Sequence, residues 1–338
     1  MTLSTIISED ADRIAAQVDL SPLAGKTVLV AGATGLLGTY LMAALAKSDA
    51  TRVVGLARSI DKTKDTKRVS YFPTSLTCCL PSALKGKRFD YVIHAAGSAD
   101  PSRFLDKPVD TIAVNTAGTI ALFGSLAPRG RYMYLSSSEV YSGLPSPHFE
   151  YEIGTTGPGH PRAPYIEGKR CGEAIVHAHR RGGLNAVIAR PALAYGPGTR
   201  KGDGRVINVI IKQALTEGRV TLADQGLAIR SYVYVADATA MLLNILLRGG
   251  QVTYNVGATA PRTVSWVARL IAEYAGAEFV KPTIGGIPLA GAPHEVRLSM
   301  KQYTDEFGPF AYTQFTDGLR RTMDWQKLLY ADDAEVAA

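Results

Sequence analysis

An α/β fold is predicted: a doubly wound parallel sheet followed by a smaller C-terminal domain. Two observations point to it. Strand-like apolar runs alternate with helical patterns through the first half of the chain. The first of them opens into a glycine-rich turn with a helix behind it, in the stretch TVLVAGATGLLGTYL at residues 27–41. Here Val28, Leu29 and Val30 read as a buried parallel strand. Gly32, Gly35 and Gly38 follow at spacings of three, and Leu41, Met42 and Leu45 continue as a helix. Glycines in such a turn let the backbone reverse tightly, let a pyrophosphate approach and let helix pack on strand, while the free amides at the helix start attract the anion. Gly32, Thr34, Gly35, Leu36 and Leu37 are therefore candidate dinucleotide contacts. No Gly-Lys-Ser/Thr ending is present, which argues against a P-loop.

The elements before and after the turn follow the same logic. Residues 1–25 read as an amphipathic helical extension with Ile6, Ile7, Ile14 and Val18 on one side. Residues 52–56 form the second strand, whose end lies where a nucleotide ribose is read. An acid there would bond the 2′-hydroxyl of NAD; this chain has Ala57 and then Arg58, which tilts the expectation toward NADP, with Asp61 close enough to keep NAD open. A weak strand at 69–72 and a clearer one at 91–94 come next. Ala95, Ala96 and Gly97, at the carboxyl end of the latter, would let a dinucleotide lie against the backbone. A single helix is predicted over 109–122, carrying Asn115, and a strand over 131–135.

The chemistry is concentrated in residues 135–169. The strand RYMYL runs into Ser136, Ser137, Ser138 and Glu139, which places small hydroxyls and a carboxylate at the sheet edge. A Pro- and Gly-rich loop then leads to Tyr165 and Lys169, four apart on one helical face. A phenol is a poor base near neutral pH; lowering its pKa by about three units takes about 4 kcal/mol of preferential phenolate stabilisation. An ammonium one turn away, with an oxidised nicotinamide, could supply it. The tyrosinate would then take a hydroxyl proton while hydride leaves the same carbon, with Ser137 positioning the oxygen.

These residues resemble the extended short-chain dehydrogenases/reductases that modify nucleotide sugars, and among them the UDP-glucuronate decarboxylases most. The likeness runs from Lys26 to about Leu319 and is carried by HAAGSADPSRFLDKP with the downstream NTAGT, by SSSEVY, by YIEGKR, and by GPGTRKGDGRV followed by IRSYVYVAD. The resemblance implies a Rossmann domain over 26–190, a mainly substrate-binding domain over 191–330 with some elements returning to the sheet, and a homodimer. It implies that Ser137, Tyr165 and Lys169 form the redox triad and that Glu139 acts after oxidation at carbon 4 of the sugar. It places Asn115 and Pro191 with the cofactor, and Ser98, Ser138, Arg205, Arg230 and Arg297 with the nucleotide-diphosphate sugar. A Ser-Glu pair such as Ser138 and Glu139 occurs in the decarboxylases and the GDP-mannose 4,6-dehydratases and is usually missing from 4-epimerases. This chain departs from the decarboxylases at Leu193 (asparagine there), Phe104 (tyrosine), Ala57 (aspartate) and the region of Thr74 and Ser75 (an acid). A 4-epimerase, a dehydratase and a catalytically silent NADP-sensing or RNA-binding scaffold are the alternatives.

Composition agrees with an ordinary globular protein: 338 residues, 46% hydrophobic and 20% charged, with no long uninterrupted apolar run. The formal charge of +7 is scattered, so no nucleic-acid or membrane partner is expected. Cys78, Cys79 and Cys171 form no disulfide or metal spacing, and the acidic first twenty residues are unlike a secretion signal, so a cytoplasmic setting is expected. His177 and His179 point to different sides of a helix, and no metal site is predicted. The tail at 331–338 reads as disordered.

Overall fold

The computed structural model describes residues 3–77, 79–97, 99–280 and 291–336. Six strands, β1 (Thr27–Ala31), β2 (Arg52–Ala57), β3 (Val69–Pro73), β4 (Phe89–His94), β5 (Leu126–Leu135) and β6 (Asn185–Pro191), are joined by a seventh, Thr253–Val256, from the C-terminal half. All pair in parallel, in the order β3-β2-β1-β4-β5-β6 with the seventh strand outside β6. The order reverses between β1 and β4, and that reversal opens a crevice at the carboxyl edge. Both sheet faces are covered. Val28 and Val30 pack into one apolar cluster and Leu29 and Ala31 into the other, as the twofold period of a strand requires.

Helix α1 (Leu3–Gln17) is fastened to the outside by one buried carboxylate. Asp10 accepts from the Tyr40 hydroxyl at 2.9 Å and the Tyr234 hydroxyl at 2.6 Å, and Arg321 stands 3.2 Å away. Helix α2 (Leu36–Ala46) follows the glycine turn. Gly32 has φ +85°, and a Cβ there would lie 2.5 Å from the Ala95 carbonyl oxygen; a Cβ on Gly38 would lie 2.0 Å from that of Gly32. Two of the three glycines therefore serve the packing of turn, β4 and α2.

The single helix expected over 109–122 is two pieces, α4 (Pro108–Asn115) and α5 (Ala117–Phe123), preceded by the short α3 (Pro101–Asp106). Thr111, Thr116 and Thr119 each donate to the carbonyl four residues back, a habit that bends helices, and the chain breaks at Thr116. Helix α6 (Ala163–Arg181) carries Tyr165 and Lys169. The helix Val235–Arg248, not read from sequence, is buried from Val235 to Leu246. The last helix, Phe315–Val336, continues through most of the stretch read from sequence as a disordered tail.

Candidate active site

The loops that leave the carboxyl ends of the sheet strands line a cleft of about 890 Å³. Thr34 to Leu37 come from the turn after β1, Arg58 from the end of β2, Ala95 to Gly97 from β4, Ser137 to Glu139 from β5, and Pro191 from β6. Gly35, the N-cap of α2, bears no capping side chain, and a Cβ on it would meet only the Gly32 oxygen, at 3.3 Å. An open cradle over uncapped helix amides fits a pyrophosphate. The second half of the chain closes over it. Arg200 donates to the Thr34 carbonyl at 3.1 Å and hydroxyl at 3.0 Å, and the Gly204 amide donates to Asp100 at 3.3 Å.

Tyr165 and Lys169 are buried on one face of α6, and Glu173 extends that face by one more turn. Burial pushes the Tyr165 phenol up to about 12, with Glu139 adding to the rise; a hydrogen bond with Ser137 and the guanidinium groups of Arg162 and Arg205 oppose it. Lys169 donates to the Leu135 carbonyl at 2.7 Å, and its Nζ stands 5.8 Å from the Tyr165 ring centre. Burial drives its ammonium down to about 7, opposed by Glu173. The protein by itself does not lower the phenol, which leaves the expected acidification to the ammonium acting together with an oxidised nicotinamide. Burial disfavours the charged form of each group, holding the phenol neutral and leaving Lys169 about half protonated at pH 7.

Lys169 makes stability depend on pH in the dinucleotide-stripped protein. The folded chain releases this proton near pH 7 and the unfolded chain near about 10.4, so between these values the unfolded chain binds more protons. Stability is expected to rise with pH across that window, and Lys169→Met to flatten the rise. Melting temperatures of both proteins from about pH 7 to 9 check it; an equally steep rise in the variant would assign it to other groups.

Arg162, which no sequence motif singled out, joins the site from the N-cap position of α6. Its guanidinium makes a bidentate pair with Glu139, at 2.6 and 3.0 Å, and lies 5.0 Å over the Phe104 ring. Phe104 in turn stacks on Tyr165, with ring centres 5.0 Å apart and planes 14° from parallel. The only hint in the sequence was a basic residue three places before Tyr165. Arg230 is buried, lines the same cleft and donates to the carbonyls of Ile229 and His294 at 2.8 and 3.1 Å. Burial lowers its pKa, and Glu139 and Arg162 are both near enough to act on it, with opposite signs.

Other expected site residues fall differently. Ser138 and Arg205 line the cleft, but Arg205 is forked onto Asp203 at 2.9 and 2.8 Å and also donates to the Ala194 carbonyl. Asn115 does not line the cleft. It is fully buried behind Gly97, donating to the Thr111 carbonyl and accepting from the Tyr134 hydroxyl. Arg297 is also outside the cleft lining, half-exposed and paired with Glu295. Ser98 and Cys78 lie outside the described residues. Among the described residues, no group of three or more His, Cys, Asp or Glu could hold a metal, and no helix is long and apolar enough to cross a membrane.

The sequence model of the NAD dependent epimerase/dehydratase family matches residues 28–257. UDP-glucuronic acid decarboxylase 6 of Arabidopsis thaliana is 31% identical over 264 residues, which cover 76% of this chain and 75% of that protein. UDP-glucuronic acid decarboxylase 1 of Xenopus tropicalis is 33% identical over 192 residues, 55% of this chain and 45% of that protein, so the match spans less than half of this relative's length. The crystal structure of the Bordetella bronchiseptica enzyme WbmF in complex with NAD+ superposes with a TM-score of 0.73 at 25% identity, covering 94% of this chain and 97% of that one.

Proposed function

Because the chain belongs to the NAD dependent epimerase/dehydratase family, we propose that it oxidises a nucleotide-linked uronic acid at carbon 4 with a tightly held NAD(P) and then decarboxylates it. UDP-glucuronate is the substrate that the decarboxylase relatives suggest. The observation that carries this reading is the charge around Glu139 in the cleft: two low-exposure guanidinium groups, Arg162 paired with it and Arg230 near enough to act on it. The trio has a surplus of one positive charge, and a sugar carboxylate complements it.

The bound nicotinamide supplies the chemistry of accepting and returning hydride. Gly32, Thr34, Gly35, Leu36 and Leu37 would hold its pyrophosphate, and Ala95 to Gly97, Lys169 and Pro191 the rest of the molecule. Arg58 supports a 2′-phosphate, hence NADP. Arg58 and Arg103 both stand close enough to Arg200 for their charges to act on it, and β2 ends on Ala57 rather than on an acid, with Asp61 four places later. Tyr165 takes the carbon 4 hydroxyl proton, with Ser137 holding that oxygen. As the carboxylate leaves, its bonding electrons move toward the new ketone, and Tyr165 and Ser137 stabilise the oxygen that receives them. Glu139 then orients the water that protonates carbon 5. Arg205 and Ser138 would bind the diphosphate side of the substrate.

A homodimer belongs to the same reading, supported by the exposed apolar side chains of Val109, Ile112 and Ile120 along α4 and α5. The exposed thiols of Cys79 and Cys171 suit a reducing cytoplasm. The protein is expected to convert UDP-glucuronate to a product lighter by carbon dioxide, and to leave UDP-glucose, GDP-mannose and dTDP-glucose unchanged in mass and stereochemistry. Mass analysis and sugar NMR of the four incubations check this. Loss of water from a neutral hexose, or its epimerisation, would overturn the decarboxylase reading in favour of the alternatives.

A further inference from the structure

We propose that Arg162 is a positioning residue that decides which bond breaks after oxidation, by keeping Glu139 from acting as a base on carbon 5. The inference rests on the oxidation–decarboxylation reading above. Both bonds that can break lie next to the carbon 4 ketone: loss of the carbon 6 carboxylate and loss of the carbon 5 proton. A free carboxylate at the position of Glu139 is suited to the second. Here it is not free: each of its oxygens already accepts from Arg162, at 2.6 and 3.0 Å. The charge-assisted fork fixes the plane of the carboxylate and takes one lone pair on each oxygen, leaving the others to the water that Glu139 orients.

Arg162 is itself immobilised. It is 9% exposed and lies over Phe104, which stacks on Tyr165. The clamp is thus tied through one aromatic ring to the phenol that performs the oxidation. Arg162 is the N-cap residue of α6, three residues before Tyr165, so clamp and oxidising group are neighbours in the chain as well as in the cleft.

Releasing the clamp has a defined chemical consequence. In Arg162→Met, Glu139 takes the carbon 5 proton of the 4-keto uronate, and the C–H bonding pair moves into the carbon 4–carbon 5 bond as the ketone oxygen gains charge. The proton on Glu139 exchanges with solvent and returns to carbon 5, so no net oxidation or reduction accompanies the exchange. In D2O the wild-type pentose product acquires a single deuterium at carbon 5, from the protonation that replaces the carboxylate. The variant's product is expected to carry two, because the original hydrogen has also been exchanged. Arg162→Lys, which cannot form the fork, is expected to give a mixture of both products.

Mass spectrometry and NMR of the product read the count, and a merely structural role for Arg162 would lower the rate without altering it. If Arg162→Met forms no product, the recovered UDP-glucuronate is expected to carry deuterium at carbon 5. Single deuteration in both variants overturns the proposal, as does a variant that reduces the nicotinamide while leaving product and recovered sugar without the extra label. A wild type that never reduces its nicotinamide with UDP-glucuronate instead overturns the parent reading, and with it this one. The two failures are told apart by the wild-type absorbance alone.

Discussion

Replacing Tyr165 by Phe is expected to lower turnover of the nucleotide sugar by about 10²- to 10⁴-fold, the usual worth of a positioned acid–base group. Reduction of the nicotinamide should fall by the same factor. The ring is held between α3 and α6 by its stack on Phe104, a contact that the substitution keeps. Only the hydroxyl is lost, and its hydrogen-bond partner Ser137 is a cleft residue that water can satisfy. Stability should therefore change little, and dinucleotide should still bind. A stopped-flow trace of nicotinamide absorbance on mixing with sugar nucleotide measures the chemical step. Undiminished reduction in the variant would remove Tyr165 from the oxidation. Burial pushes the phenol up to about 12 and Lys169 down to about 7, so an oxidised nicotinamide, once bound, would supply much of the drive to form tyrosinate through its positive charge.

A second large effect is expected on stability. Arg190, at the end of β6, pairs with Glu173 of α6 at 2.9 and 2.7 Å, both side chains being almost wholly buried. The same guanidinium donates to the Tyr141 hydroxyl and to the carbonyls of Glu150 and Glu152, so it ties β6, α6 and the loop after β5 together. Arg190→Met leaves Glu173 buried without compensation and should cost about 3–5 kcal/mol. Denaturant unfolding of the variant checks this. The double replacement Arg190→Met with Glu173→Met should recover much of the loss, since an apolar pair replaces a buried ion pair at little net cost. A double variant as unstable as the single one would show that the hydrogen bonds to the loop, not the orphaned charge, carry the effect.

Much of the architecture could be read directly, and for local reasons. A β-branched run, glycines at 32, 35 and 38 and an apolar helix compose one strand–turn–helix unit, whose geometry depends on neighbouring residues alone. Tyr165 and Lys169 lie on one face because four residues make about one helical turn. Where the expectations failed, the deciding contacts were distant in sequence. Asn115 sits behind Gly97 rather than in the cleft because Tyr134, from another strand, holds it there. Arg297, isolated in the sequence, is half-exposed beside Glu295. The break at Thr116 came from side chains competing for helix carbonyls, which a periodicity argument does not weigh.

The amino-acid order alone determined the doubly wound sheet and the placing of Ser137, Glu139, Tyr165 and Lys169 at or after one strand edge, since both follow from short-range spacing. Folding in three dimensions settled the electrical character of that edge. Whether Tyr165 is acidified or Glu139 is free depends on how much water is excluded and on which guanidinium groups arrive, and Arg162, Arg205 and Arg230 reach the cleft from separate segments of the chain. Charge acts through space and burial belongs to the whole molecule, so neither can be read from the residues on either side.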